Sequence, residues 1–131
     1  MNENKEIKVP EEQGKEALFK KQIYRLFKRL GISPACKGYD FAMAAICTKY
    51  KMEQERENFS VGKIYEEVAK TYGTNYRCVE RNIRTLRLKM LREMNYATSA
   101  FVKEVFGTTD NISNAEFITS LYSYLRYEQE E

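Results

Sequence analysis

Arg77, Arg81 and Arg84 recur at helical spacing, and Glu80 stands among them. On a helical wheel of about 100° per residue these four residues fall together. Val79, Ile83, Leu86, Met90 and Met94 fall on the opposite face. Such a segment turns an apolar seam to a core and an arginine-rich face outward. The chemistry open to that face is recognition of base edges. Arginine donates two parallel hydrogen bonds to O6 and N7 of guanine, and a carboxylate such as Glu80 accepts from the cytosine amino group. Phosphates repel a carboxylate, so Glu80 points to base readout rather than charge neutralisation alone. Arg87 lies nearer the edge of the face, where a backbone or supporting contact is expected. A solvated helix face would explain the charges equally well. The segment just before them favours recognition.

That segment reads Ile64-Tyr-Glu-Glu-Val68-Ala69-Lys-Thr-Tyr72-Gly73-Thr74-Asn75. A helix-turn-helix needs a small residue where its helices cross closely, and Ala69 supplies one. It needs a turn residue that tolerates positive φ, and Gly73 follows four positions later. It needs an apolar anchor early in the second helix, and Val79 fits. Asn82 occupies a place where an apolar residue is frequent, and Ile83 is expected to take over as anchor. Thr74 or Asn75 caps the second helix, and Asn75 is also a candidate supporting contact to a DNA backbone. Lys37 and Lys63 stand at or just before expected helix starts, where backbone N–H groups also bind phosphate.

The remaining chain supplies elements to hold this unit. Residues 1–14, with Pro10 and Gly14 as breakers, read as a flexible lead-in, and residues 15–131 as a single domain. Leu18, Phe19, Ile23, Leu26, Phe27 and Leu30 repeat at helical spacing from Lys15 to Leu30, and Gly31 and Pro34 end that helix. A second helix is expected from about Gly38 to Lys51, with Glu53–Asn58 as its frayed end or a loop. Ser60 caps a third over Val61–Thr71, and the arginine-bearing fourth runs from about Asn75 to Glu93. A shorter helix lies near Ser99–Phe106. Ser113 with Glu116 forms a capping box that opens the last helix, which carries Phe117, Ile118, Leu121 and Leu125. The expectation is an all-α domain of about six helices around a helix-turn-helix. The basic residues of the first helix, Lys15, Lys20, Lys21, Arg25, Lys28 and Arg29, read as a solvated face. Leu88 projects towards the arginine side of its helix, where it would meet another helix or a partner subunit.

Composition narrows the classes further. The 131 residues carry a formal net charge of only +3, so the clustering of charge says more than its sum. No histidine is present, which removes Ser-His-Asp and Cys-His catalysis and histidine-containing zinc sites. The three cysteines, Cys36, Cys47 and Cys78, form no CxxC pair and read as reduced core thiols. No stretch approaches the roughly 20 apolar residues of a membrane span, and the N-terminus lacks the apolar core of a signal peptide. A cytoplasmic protein without metal or cofactor is expected.

Several runs together carry a family resemblance. They are Leu30-Gly31-Ile32, Lys37-Gly38-Tyr39, Ala45-Ile46, Ile64-Tyr65, Val68-Ala69-Lys70, Val79-Glu80-Arg81-Asn82-Ile83-Arg84, Phe106-Gly107, Asn114-Ala115-Glu116-Phe117-Ile118 and Leu125-Arg126. In this order they resemble, over roughly residues 18–128, the C-terminal effector domain of the sporulation initiation response regulator, the stage zero sporulation protein A family of endospore-forming Firmicutes. The resemblance implies a six-helix fold around a helix-turn-helix and binding to short boxes resembling TGTCGAA. It implies that Glu80, Arg81 and Arg84 face the bases, and that effector domains pair head to tail on adjacent boxes. Glu66 stands where the family usually has a proline, and the loop after Gly107 is short and lacks lysines. The family's full-length regulator carries an N-terminal receiver domain, for which residues 1–14 are too few. The chain reads either as an excised fragment or as a free-standing relative, and its Met1 start fits the second.

The functional expectation is a sequence-specific regulator of transcription that binds double-stranded DNA, self-associates on tandem sites, and has RNA polymerase or a second regulator as a further partner. The alternative is a protein-interaction module of the same fold that pairs with or sequesters a regulator. Such a module has no need of Arg77, Arg81 and Arg84 beside Glu80. An enzyme finds no support: no Gly-rich phosphate loop, no metal-ligand cluster and no paired carboxylates beyond Glu66-Glu67.

Overall fold

In the computed structural model, residues 10–129 are described, and they form six helices with no strand among them. The order is α1 (Pro10–Arg29), α2 (Tyr39–Gln54), α3 (Val61–Tyr72), α4 (Tyr76–Glu93), α5 (Tyr96–Phe106) and α6 (Asn114–Gln129). The domain is therefore all-α.

Two helix starts depart from the sequence expectation. α1 begins at Pro10 rather than near Lys15, so residues 10–14 are helical. Proline suits the first helical position, because an N–H there has no partner inside the helix anyway. Gly14 is tolerated within it, at a cost of about 1 kcal/mol relative to alanine. The rest of the expected lead-in, residues 1–9, lies outside the described residues. α5 begins at Tyr96 because Asn95 and Thr98 form a reciprocal cap: Asn95 Oδ1 accepts from the Thr98 N–H at 2.9 Å, and Thr98 Oγ1 accepts from the Asn95 N–H at 2.8 Å. At the other ambiguous boundary, α2 continues to Gln54, and Arg56 then takes φ 59°, which a helix cannot continue.

The helices close around one core. α2 packs on α1, α3, α4 and α6, so it is the hub of the fold. Phe19, Ile23 and Phe27 of α1 are buried with Ala42, Ala45 and Ile46 of α2, Ile64 and Val68 of α3, and Phe117, Ile118 and Leu121 of α6. Small residues on α2 let its neighbours approach closely. From α4 come Val79, Ile83, Leu86 and Met90, all buried, as the apolar seam requires. Met94, expected on that seam, is instead the half-buried C-cap of α4.

The turn between α3 and α4 is tight. Gly73 caps α3 in the left-handed region, at φ 66° and ψ 36°. The Thr74 N–H then reaches back to the Ala69 carbonyl at 2.9 Å. A Cβ on Gly73 would meet nothing within 4 Å, so only backbone strain opposes a side chain there. Gly73→Ala should destabilise the domain by about 1 kcal/mol, and Gly73→Val by more, because a β-branched residue tolerates positive φ poorly. Urea titration followed by circular dichroism checks both.

The three thiols are free and half-buried. Burial pushes the Cys47 thiol up to about 11, partly offset by Lys20. The native state thus disfavours its thiolate. The contribution of this group to stability is complete below about pH 9 and is lost as pH rises through 11. At pH 8.5, Cys47 should alkylate more slowly in the native protein than in urea, as read by mass spectrometry of the labelled peptides.

Candidate nucleic-acid interface

Two caps set the entry points of the helix-turn-helix. Ser60 Oγ accepts from the Lys63 N–H at 3.1 Å and opens α3. Asn75 Oδ1 accepts from the Cys78 N–H at 2.9 Å and opens α4. Asn75 therefore spends its acceptor on the helix, while the N–H groups of Tyr76 and Arg77 have no partner within α4. The ring of Tyr76 packs edge-on against Tyr65, with centroids 5.7 Å apart, and lies 3.7 Å from where a Cβ on Gly62 would sit. One tyrosine thus ties the start of α4 to the start of α3.

α4 separates its two faces as expected. Val79 is fully buried as the anchor, and Ile83 is buried beside it. Ala69, the crossing residue on α3, is also buried. Arg77, Arg81 and Arg84 are exposed, and Glu80 is half-buried at the margin. Among the described residues the guanidinium groups of Arg77 and Arg81 have no ion-pair partner, whereas Arg84 Nη2 lies 3.5 Å from Glu80 Oε1. An exposed pair at this i,i+4 spacing contributes about 0.3–0.5 kcal/mol. The pair holds both side chains on the outer face of α4. Leu88 stays 44% exposed.

Asn82 is not a defective anchor. Its Nδ2 donates to the Cys78 carbonyl at 2.9 Å, and its own backbone carbonyl lies against Gly38, the N-cap of α2. Gly38 adopts φ 93°, and a Cβ there would overlap the Asn82 carbonyl oxygen and sit 2.8 Å from its carbonyl carbon. α2 and the middle of α4 thus touch backbone to backbone.

The candidate supporting cations separate on inspection. Lys37 is exposed just before that contact and remains available. Lys63 is exposed on the first turn of α3 and lies 3.8 Å from Glu66 and 3.7 Å from Glu67. Arg87 differs from expectation, since it is engaged inside the protein. Its Nε donates to Asn114 Oδ1 at 2.8 Å, and its Nη1 donates to the Ile112 carbonyl. Burial and the neighbouring Arg84 both lower its pKa. The edge position inferred for Arg87 on the wheel places it over the start of α6 rather than over open solvent.

Asn114 is the residue that sequence reasoning missed as part of the site. Its Nδ2 donates to the Glu80 carbonyl at 3.0 Å while its Oδ1 accepts from Arg87. The available signal was positional. Ser113 and Glu116 already cap α6, with Ser113 Oγ accepting the Glu116 N–H at 3.1 Å and Glu116 Oε1 accepting the Ser113 N–H at 2.9 Å. An asparagine just inside a completed cap has no local task. Beneath this network Tyr65 is only 2% exposed, and its hydroxyl has no protein hydrogen-bond partner. Burial raises the Tyr65 pKa, and the nearby Glu80 carboxylate raises it further, so the phenol stays neutral across the physiological range.

Among the described residues no group of three or more Cys, Asp and Glu is placed to hold a metal ion. Among the described residues no helix is long and apolar enough to cross a membrane. The arrangement suits recognition of a polyanion by its shape and edges.

No curated protein matches the chain. The profile of the family described as sporulation initiation factor Spo0A C terminal matches residues 23–125, from within α1 to the last turns of α6, and so spans the whole helix-turn-helix. The chain therefore belongs to the Spo0A C-terminal family, a family of DNA-binding effector domains in the control of sporulation.

Proposed function

We propose that this domain regulates transcription by binding specific double-stranded sites, with α4 in the major groove. One observation carries the reading: α4 buries a continuous seam of Val79, Ile83, Leu86 and Met90 while Arg77, Arg81 and Arg84 stand outward with Glu80 at their margin. A helix needs this division to seat in a groove about 12 Å wide and present side chains to base edges. Glu80, Arg81 and Arg84 read bases. Arg77 and Lys37 contact the backbone, and the first N–H groups of α4 add to them. Lys63 contributes once it leaves Glu66 and Glu67, a change that costs little at the surface. The target is a short box resembling TGTCGAA, occupied in tandem by two copies.

Methylation interference tests this reading. A methyl group on guanine N7 removes an acceptor that a base-reading arginine uses. Methylating the box guanines should therefore block binding, and methylation outside the box should not. Undiminished binding to fully N7-methylated boxes would remove major-groove readout from the account. It would leave sequence-blind attraction to the backbone, whereas no binding to any duplex would favour the second reading, a protein-interaction module. The observation behind that reading is the exposure of two aromatic side chains outside α4, Tyr96 at 95% and Tyr127 at 65%.

A further inference from the structure

We infer that Asn114 is a positioning residue for base readout, because it fixes α4 against rotation and sliding by binding it at two points at once. This rests on the DNA-reading assignment of α4. The first point is the Glu80 carbonyl, which accepts from Asn114 Nδ2 at 3.0 Å. The second is the Arg87 guanidinium, which donates from Nε to Asn114 Oδ1 at 2.8 Å. Glu80 and Arg87 stand seven residues apart on α4, and the Arg87 side chain reaches back along the helix, so that both hydrogen bonds meet at the Asn114 amide. A helix held at one point still pivots. One bond here holds the α4 backbone and the other a side chain rooted two turns further on, so together they oppose both roll and sliding.

Arg87 completes the grip. Its Nη1 donates to the Ile112 carbonyl, so the segment leading into α6 is drawn onto α4 by the same side chain. The two hydrogen bonds to Asn114 are part-buried, and a hydrogen bond shielded from water resists exchange better than an exposed one. α6 itself is anchored in the core by Phe117, Ile118 and Leu121, each with no exposed surface. The clamp therefore ties the reading helix to a rigid element. The hydrogen bonds of the Asn114 side chain go to α4, while the cap of its own helix is completed by Ser113 and Glu116. Its side chain is given over to α4.

Glu80 is the residue whose carbonyl is clamped and whose carboxylate pairs with Arg84. Base-reading groups must be held within about 0.5 Å and 10–20° of the productive geometry. Loosening the clamp shifts Glu80, Arg81 and Arg84 together. The predicted defect is therefore in discrimination between bases. Sequence-blind attraction to phosphates tolerates the same displacement.

The test compares Asn114→Ala and Asn114→Asp with the unsubstituted chain, each first shown to be folded by thermal melting. The readout is the ratio of affinities for a tandem-box duplex and for a duplex carrying one substituted base pair per box, at fixed salt. Binding to a scrambled duplex is measured alongside. Asn114→Ala should lower the ratio roughly tenfold, the equivalent of one or two hydrogen bonds, and leave scrambled binding within about twofold. Asn114→Asp is nearly isosteric and keeps an acceptor for Arg87 but cannot donate to the Glu80 carbonyl. It should lose discrimination as well, and it carries the test if the alanine variant does not fold. A ratio within about twofold of the starting value in a folded variant overturns the positioning role while leaving the DNA-reading assignment in place. Parallel loss of box and scrambled binding in a folded variant also overturns it, since discrimination is then unchanged. If the unsubstituted chain shows no discrimination, the DNA-reading assignment falls first and this inference falls with it.

Discussion

Gly38→Ala should lower the stability of the domain by about 4 kcal/mol, two penalties acting together. The residue sits at φ 93°, where an L-side chain is strained by about 1–3 kcal/mol. Its Cβ would also collide with the Asn82 carbonyl, which belongs to the backbone of α4 and has no rotamer to escape into. Overpacking of this kind adds about 1–3 kcal/mol. A domain of this size has a total stability of about 5–15 kcal/mol, so the loss should be visible as a fall in melting temperature of roughly 15 °C. Gly73→Ala provides the internal control, having positive φ but open space around it. If the two variants melt alike, α2 and α4 do not meet at this point. The contact matters beyond stability, because it holds the middle of α4 against the hub of the fold.

The second large effect concerns recognition. Arg81→Ala and Arg84→Ala should each weaken binding to the matching box by about 1–3 kcal/mol and relax the preference at one base pair. The side chains stand a helical turn apart as neighbours on one face, so the double variant should depart from the simple sum of the two losses. Arg77→Ala should act differently. It should weaken all duplexes about equally and reduce the steepness of the salt dependence by about one unit. Anisotropy titrations at several salt concentrations separate the two patterns. Arg87→Ala belongs to neither group. It removes donors from Asn114 and the Ile112 carbonyl, so its first effect should be a lower melting temperature.

Much of the helix-turn-helix was legible because its signals are local. Ser60, Asn75 and the Ser113–Glu116 box act within one turn of their own helices and sit where the sequence places them. The seam of Val79, Ile83, Leu86 and Met90 is a periodicity, and its burial follows from it. The start of α5 was missed because Asn95 and Thr98 form a cap without the usual glutamate. What the sequence hid was long-range. Nothing in the neighbourhood of Gly38 announces a carbonyl arriving from Asn82, and nothing near Arg87 announces Asn114, 27 positions away. Arg87 looked like an edge cation because a wheel shows one helix without its neighbours. Asn82 looked like a lapse in the pattern for the same reason, since what its position does is accommodate a close backbone contact.

The most direct measurement of the central claim is a fluorescence anisotropy titration of the domain into a labelled duplex with two tandem TGTCGAA boxes and into a scrambled duplex, each at two salt concentrations. The account predicts that the box duplex binds at least about 10³-fold more tightly, with the preference persisting at the higher salt. Equal binding of both duplexes at roughly micromolar levels or weaker, abolished alike by salt, would contradict it and leave α4 with electrostatic attraction alone.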